Sequence, residues 1–175
     1  KAKYLHANNL NIFQKECSKA IERYSGVVFK NIDWDSLNID SKKYLNQHLR
    51  ILSGLFGILK PDTLIPDYKL KMNVLSLTKF WGKDISNYLE NQGLVLDLLP
   101  AIHRKAFNLE ENIIRINFMI NKKGKLLQSA HSGKVVKGKF IRFLAQNNIK
   151  DMYGIKNFEY DGYKWNGTIF IKDDP

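Results

Sequence analysis

Arg50-Ile51-Leu52-Ser53-Gly54-Leu55-Phe56-Gly57-Ile58-Leu59-Lys60-Pro61 is the stretch around which the rest of the chain is organised. A short apolar run leads into two glycines three positions apart, and a lysine and a proline then end any regular element. Glycine allows backbone conformations and close approaches that a side chain blocks, and proline favours extended geometry in the residue before it. Two interpretations follow: a tight structural turn, or a ligand-facing loop whose backbone N–H groups contact phosphate.

Length and composition indicate an ordinary globular chain. Its 175 residues suit a single domain over residues 1–175, and 44% of them are hydrophobic and 26% charged. The sequence begins at Lys1, so we expect a true N-terminal segment to be missing from it. No apolar run reaches the roughly 18 residues that a membrane span needs. The single cysteine, Cys17, excludes an internal disulfide, and its apolar neighbours predict a core thiol in a reducing, cytoplasmic compartment.

The positive charge of the chain is unevenly distributed. The net charge is +11, from 28 Lys and Arg against 17 Asp and Glu. Residues 112–150 contain nine basic residues and no acidic one, so this window carries +9 of that total. Such asymmetry favours a polyanionic partner, with nucleic acid ahead of an acidic membrane surface, although a solvated basic face has the same composition.

Hydrophobic periodicity predicts a mixture of helices and strands. The predicted helices cover residues 10–24, 40–48, 78–92, 101–107 and 134–147. The predicted strands cover residues 27–29, 50–53, 94–99, 114–120, 125–129 and 168–171. Asn121-Lys122-Lys123-Gly124 predicts a hairpin turn into residues 125–129. Residues 61–72 lack a regular period and are interpreted as an ordered loop. We therefore predict the α/β class (mixed α+β), as a compact single domain with a mixed sheet flanked by helices.

The sequence contains no constellation that specifies a reaction. Its four histidines are too far apart to form a local metal pair, and His48 is interpreted as a core residue. Asp97 ends a predicted strand, where it is either a catalytic group or a cap for the next helix. His131 lies before the basic helix and is a candidate acid or base. We predict no catalytic residue, no metal site and no cofactor.

The predicted helix over residues 134–147 carries the clearest candidate site. Its four basic side chains fall within nine positions and are Lys134, Lys137, Lys139 and Arg142. Gly133 and Gly138 are expected to let its backbone approach a ligand. Contacts of this kind with phosphates give salt-sensitive affinity with little sequence readout. Near the carboxyl end, Tyr160, Tyr163 and Trp165 are interpreted either as stacking surfaces for unpaired bases or as sheet packing.

Several of these motifs together resemble the YaaA peroxide-stress family. The resemblance extends from Ile21 to Trp165 and is carried by Asn46–Pro61, Leu64-Ile65, Tyr68–Met72, Phe80-Trp81-Gly82, Lys134–Phe143 and Asp161-Gly162-Tyr163. It implies a cytoplasmic bacterial protein that limits oxidative damage during peroxide stress, linked to lower free intracellular iron. It also implies a YaaA-like fold with a basic cleft and a helix-hairpin-helix-like element similar to those of DNA-binding proteins.

In that interpretation Gly54 and Gly57 form the hairpin, with Arg50, Lys60 and Lys69 beside phosphates. The sequence departs from the family in two places: these glycines are three apart, and an apolar Leu99–His103 replaces a more polar segment. The leading hypothesis is non-sequence-specific binding of duplex or distorted DNA between the glycine stretch and the basic helix. Two alternatives remain, namely an enzyme that binds a nucleotide beneath the Gly54–Lys60 loop, and direct iron handling.

Overall fold

The structure is a computed structural model that describes residue 7 and residues 9–108, 111–129 and 131–174. The strands are β1 (Cys17–Lys19), β2 (Ile51–Ser53), β3 (Gly57–Leu59), β4 (Leu64–Pro66), β5 (Val95–Asp97), β6 (Ile113–Arg115), β7 (Phe118–Lys122), β8 (Lys125–Gln128), β9 (Lys164–Trp165) and β10 (Phe170–Asp174). The α-helices with described bounds are α1 (Ala20–Arg23), α2 (Val27–Ile32), α3 (Ile39–His48), α4 (Leu77–Glu90), α5 (Ala101–Arg104), α6 (His131–Gln146) and α7 (Met152–Lys156). Short 3-10 helices cover Ile12–Gln14 and Trp34–Ser36.

The described residues group into two compact units. Unit 1 comprises Leu49–Arg115 and the described residues up to Arg23, and unit 2 comprises Tyr24–His48 and the described residues from Ile116 onward. The predicted class is confirmed, because helices and a mixed sheet occur together. The prediction of a single domain and the basic cleft that the resemblance implies stay predictions.

Unit 1 is built from three pairs of short strands and the amphipathic helix α4. β1 pairs with β4 and β2 with β3, both antiparallel, while β5 and β6 run parallel. The buried face of α4 presents Ile85 and Leu89 to a core that also contains Met72, Ala106 and Ile113. This face was predicted from the apolar spacing, and the prediction is confirmed.

Unit 2 contains a four-stranded mixed sheet in the order β8-β7-β10-β9. β7 and β10 are parallel, and the outer pairs are antiparallel. An aromatic cluster fills the space between this sheet and the helices, where Phe118, Phe140, Phe158 and Phe170 pack at centroid distances of 5.1–6.1 Å. The helix α6 supplies Phe140 and also buries Val136 and Leu144, as predicted.

Predictions near the amino end were wrong. Residues 10–24 do not form one helix, because a 3-10 helix, β1 and α1 occupy them. Of the predicted core face, Phe13 is fully exposed and Cys17 is also exposed, so the predicted core thiol was wrong, whereas Ala20 and Ile21 are buried as predicted. Residues 27–29 belong to α2 rather than to a strand. Further along the chain, the ordered loop predicted for residues 61–72 contains β4, and the strand predicted for residues 114–120 is split between β6 and β7.

Candidate functional site

The glycine stretch forms a tight β-hairpin between β2 and β3. Ser53 holds its turn, because its Oγ accepts hydrogen bonds from the backbone N–H groups of Leu55 (3.1 Å) and Phe56 (2.9 Å). The same hydroxyl lies 2.5 Å from the hydroxyl of Tyr68. Strands rather than helices flank Gly54 and Gly57, so the helix-hairpin-helix-like element assigned to them was wrong in this place.

Both glycines are required by packing inside unit 1. A Cβ on Gly54 would lie 2.8 Å from the carbonyl oxygen of Leu70. Gly57 has a φ of 71°, and a Cβ there would lie 2.9 Å from the ring of Trp81. The indole Nε1 of Trp81 in turn donates to the carbonyl oxygen of Gly54 at 3.0 Å. The space beside each glycine is therefore filled by the protein itself.

The basic residues predicted beside this hairpin differ in whether the protein itself holds their side chains by hydrogen bonds. The Nε of Arg50 donates to the hydroxyl of Tyr88 at 2.6 Å, and its Nη1 donates to the carbonyl oxygen of Leu49 at 2.8 Å. Lys60 and Lys69 have exposed side chains, while their backbone N–H groups are held by hydrogen bonds. Arg50 therefore has a structural role, and the two lysines extend into solvent.

The basic helix α6 carries its four predicted side chains on different sides. Lys134 is exposed, and Lys137, Lys139 and Arg142 are half-buried. At about 100° per residue, Lys134 and Lys137 lie about 60° apart around the helix, whereas Lys137 and Lys139 lie about 160° apart. One straight run of phosphates therefore cannot contact all four residues from the same side of α6.

Arg142 holds the carboxyl end of α2. Its Nη1 donates to the carbonyl oxygens of Ile32 (3.0 Å) and Asp33 (2.9 Å) and lies 3.4 Å from the carboxylate of Asp33. Asp33 has a φ of 52° and ends the helix, so the guanidinium satisfies carbonyls that have no partner within α2. This contact gives Arg142 a structural role in addition to any contact with a ligand.

The two glycines of α6 also serve packing. A Cβ on Gly138 would lie 2.4 Å from the carbonyl oxygen of Val28 and 2.5 Å from the Cβ of Asn31. A Cβ on Gly133 would lie 2.9 Å from the Cβ of Ser129. The expected approach of this backbone to a ligand is wrong at Gly138, because α2 already occupies that face.

Asp97 has a structural environment that the sequence only partly indicated. Its carboxylate is buried and lies 2.6 Å from the Nε of Arg104 and 3.4 Å from the Nε of Arg115. Its Oδ1 accepts a hydrogen bond from the backbone N–H of Leu99 at 2.8 Å. In α5, burial lowers the pKa of His103, because the cationic form loses its hydration. Asp97 thus joins β5, β6 and α5 within unit 1.

The other candidate groups do not converge on a reactive site. His48 is exposed, so the prediction of a core histidine was wrong. The side chain of His131 lies outside the described part of the structure. Tyr163 is buried against Phe118 and Trp165 packs on Phe170, which favours the packing interpretation for these two aromatics, whereas Tyr160 is exposed. Within the described residues no group of three or more His, Cys, Asp or Glu is placed to hold a metal ion.

A surface cavity of about 370 Å³ lies on the outer side of α4 in unit 1. It is lined by Gly82, Lys83, Ser86, Asn87, Glu90, Lys105, Ala106, Phe107 and Asn108. None of these residues belongs to the Gly54–Lys60 loop. The nucleotide site beneath that loop stays a prediction.

Residues that the sequence argument passed over form the tip of the β7–β8 hairpin. Lys122 and Lys125 are directly opposite each other, and Lys123 and Gly124 make the two-residue turn between them. All three lysines are exposed. They belong to the acid-free window over residues 112–150 and lie outside the predicted site residues. The sequence feature that could have identified this site is the Asn-Lys-Lys-Gly turn signal together with the basic residues in and beside it.

No described helix combines the length and the hydrophobicity that crossing a bilayer requires.

Residues 1–168 match the family described as Peroxide stress protein YaaA. A UPF0246 protein of Rickettsia bellii (strain OSU 85-389) is 33% identical over 189 residues, covering 99% of this chain and 76% of the relative. A UPF0246 protein of Rickettsia conorii is 33% identical, and the match covers 90% of this chain and 72% of the relative. A UPF0246 protein of Finegoldia magna is 32% identical, and the match covers 90% of this chain and 66% of the relative.

Proposed function

The chain belongs to the YaaA peroxide stress protein family, and from that premise we propose that it is a cytoplasmic protein that limits peroxide damage by binding DNA. Binding is to the phosphates of duplex or distorted DNA, without readout of base sequence. The observation that supports this proposal most strongly is the window over residues 112–150, with nine basic residues and no acidic one. A polyanion is the partner that such a charge distribution attracts.

The residues proposed to contact phosphate are Lys60 and Lys69 in unit 1 and Lys134, Lys137 and Lys139 on α6. Lys60, Lys69 and Lys134 are exposed, and Lys137 and Lys139 are half-buried. Gly54, Gly57, Arg50 and Arg142 support the surrounding backbone through the contacts described above. Lysine ammonium groups on flexible side chains act as point charges and do not select a base. The proposed affinity is therefore general for DNA and sensitive to salt.

Fluorescence anisotropy with a labelled duplex of random sequence tests this function. For wild-type protein we expect affinity to fall steeply between 50 and 200 mM salt, with about one unit of slope in log K against log[salt] for each phosphate contact. Binding that is undetectable, or that does not change with salt, would contradict the proposal. An excess of ATP as competitor distinguishes DNA binding from a small-nucleotide site, because a mononucleotide offers too few phosphates to displace the duplex.

The variant that tests the role of α6 replaces Lys134 and Lys139 with glutamine. Arg142 is left intact, because its loss would disturb the end of α2 and confound the result. We expect weaker binding to all duplex sequences alike and a salt slope smaller by one to two units, about one for each contact removed. Thermal unfolding of the double variant should match wild type. A loss of affinity for one sequence alone would indicate base readout instead.

A further inference from the structure

We propose that the β7–β8 hairpin contacts DNA by entering the major groove with its edge strand β8 foremost. This inference rests on the DNA-binding function proposed above. Its turn is rigid, since Lys123 and Gly124 have φ values of 49° and 79° and Lys122 pairs directly with Lys125. Three lysines are thus held at fixed positions around one tip. Gly124 has no described atom within 4 Å of the position of a Cβ, so the tip is open to solvent.

The lysines at this tip destabilise the hairpin. Like charges directly opposite each other on paired strands are unfavourable, and Lys122 and Lys125 occupy such a pair. Lys123 takes a turn position with positive φ, which ordinarily selects Asn, Asp or Gly. A lysine on an edge strand also discourages aggregation, which accounts for Lys125. Protection from aggregation does not explain Lys123, which lies in the turn, whereas a polyanionic partner explains both Lys123 and Lys125.

The strand beside the charged tip is solvated on both faces. β8 lies at the edge of the sheet, and all four of its residues are exposed. Leu126 and Leu127 are 53% and 48% exposed, and because they are adjacent in a strand they point to opposite faces. The strand therefore presents one apolar group on each side, directly behind the lysines.

Duplex DNA matches this combination of groups. The major groove is about 12 Å wide and admits a two-stranded ribbon, with phosphates on both rims and thymine methyl groups on its floor. Lys123 and Lys125 would contact the rims, and the two leucines, on opposite faces of β8, would pack on the sugars of the two groove walls. On the β10 side of β7, Asp173 accepts a hydrogen bond from Asn121 at 2.8 Å, and Asp174 is opposite Lys122. The acids are thus on the inner side of β7, so the outer edge leads into the groove.

The charge test uses Lys123→Asn combined with Lys125→Gln in the full chain. Asparagine tolerates positive φ, so the turn is retained while two charges are removed. The matched control is Lys150→Gln combined with Lys156→Gln, two exposed lysines of unit 2 with the same change in net charge. For binding to labelled duplex, we expect the salt slope to fall by about two units in the hairpin variant and by less than one in the control.

Each outcome of this titration decides a different point. If wild-type protein binds DNA and the two variants lose affinity equally, the hairpin inference is overturned while the proposed function stands. If wild-type protein does not bind DNA, both fail. Tight binding of wild type to vesicles of phosphatidylglycerol, lost in the hairpin variant whose DNA binding is unchanged, would assign the tip to a membrane and overturn the inference.

The apolar part of the inference has its own variant, Leu126→Thr combined with Leu127→Thr. Threonine suits an exposed strand, so folding should be retained. We expect several-fold weaker binding with an unchanged salt slope, because no charge is removed. Methyl green, which occupies the major groove, should compete with wild-type protein, whereas netropsin in the minor groove should not. Competition by netropsin alone, or full affinity in the leucine variant, would contradict groove entry led by β8.

Discussion

Two β-hairpins of this chain have the same backbone requirement and opposite surroundings. The β2–β3 hairpin contains Gly57 with a φ of 71°, and the β7–β8 hairpin contains Gly124 with a φ of 79°. A Cβ on Gly57 would meet the ring of Trp81 at 2.9 Å, whereas a Cβ on Gly124 would meet no described atom within 4 Å. The first hairpin is packed inside unit 1, and the second faces solvent.

The comparison shows that the residues that identify the family need not be the residues that a partner can contact. The glycine stretch is the most recognisable part of the sequence, yet its close approaches are to Leu70 and Trp81 of the same unit. The basic hairpin is far less distinctive as a motif, but its lysines and leucines are exposed. A glycine in a strong motif therefore marks a required backbone geometry, and the surroundings decide whether that geometry serves packing or binding.

The largest effect is expected for Gly57→Ala. Positive φ costs a non-glycine residue about 1–2 kcal/mol, and the overlap with Trp81 adds a cost of similar size. We expect the free energy of unfolding to fall by about 3 kcal/mol, measured by urea denaturation. The matched variant is Gly124→Ala, which shares the positive φ without the overlap and should cost only about 1 kcal/mol. Equal losses in the two variants would show that Trp81 does not constrain the first hairpin.

A smaller effect is expected for Arg142→Ala, which separates a fold-supporting cation from the solvent-facing ones. The variant leaves the carbonyls of Ile32 and Asp33 without their charged donor, and a hydrogen bond to a charged group contributes about 1.5–3 kcal/mol. We expect a loss of about 2 kcal/mol in the free energy of unfolding. Lys134→Ala on the same helix, where the side chain is exposed, should change stability by less than about 0.5 kcal/mol. If both variants retained wild-type stability, Arg142 would be a surface cation like the others.

The sequence predicted best those elements whose pattern is both local and strong. The amphipathic spacing of Val136, Phe140 and Leu144 identified α6, and the turn signal at Asn121–Gly124 identified the β7–β8 hairpin. It failed where a distant partner decides the structure. β1 forms because Cys17–Lys19 pairs with Leu64–Pro66, and no local spacing encodes a partner more than 40 residues away.

The candidate site was predictable in its charge but not in its geometry. Counting residues located the basic window, yet only the structure separates Arg142, which holds α2, from Lys134, which is exposed. The same limit applies to Gly138, because its lack of a side chain lets Val28 and Asn31 of α2 pack closely against α6, where residues 27–29 are helical. Helix-on-helix packing overrides the strand preference of the two valines.

The exposed basic hairpin β7–β8 is proposed as a direct point of DNA contact, whereas Gly54 and Gly57 of the glycine stretch serve packing. Lysine acetylation with an amine-reactive ester, read by mass spectrometry with and without saturating duplex, tests it without any substitution. We expect DNA to slow modification of Lys123 and Lys125 by at least several-fold, while Lys150 and Lys156 react at unchanged rates. Protection of Lys60 with full reactivity at Lys123 and Lys125 would contradict it.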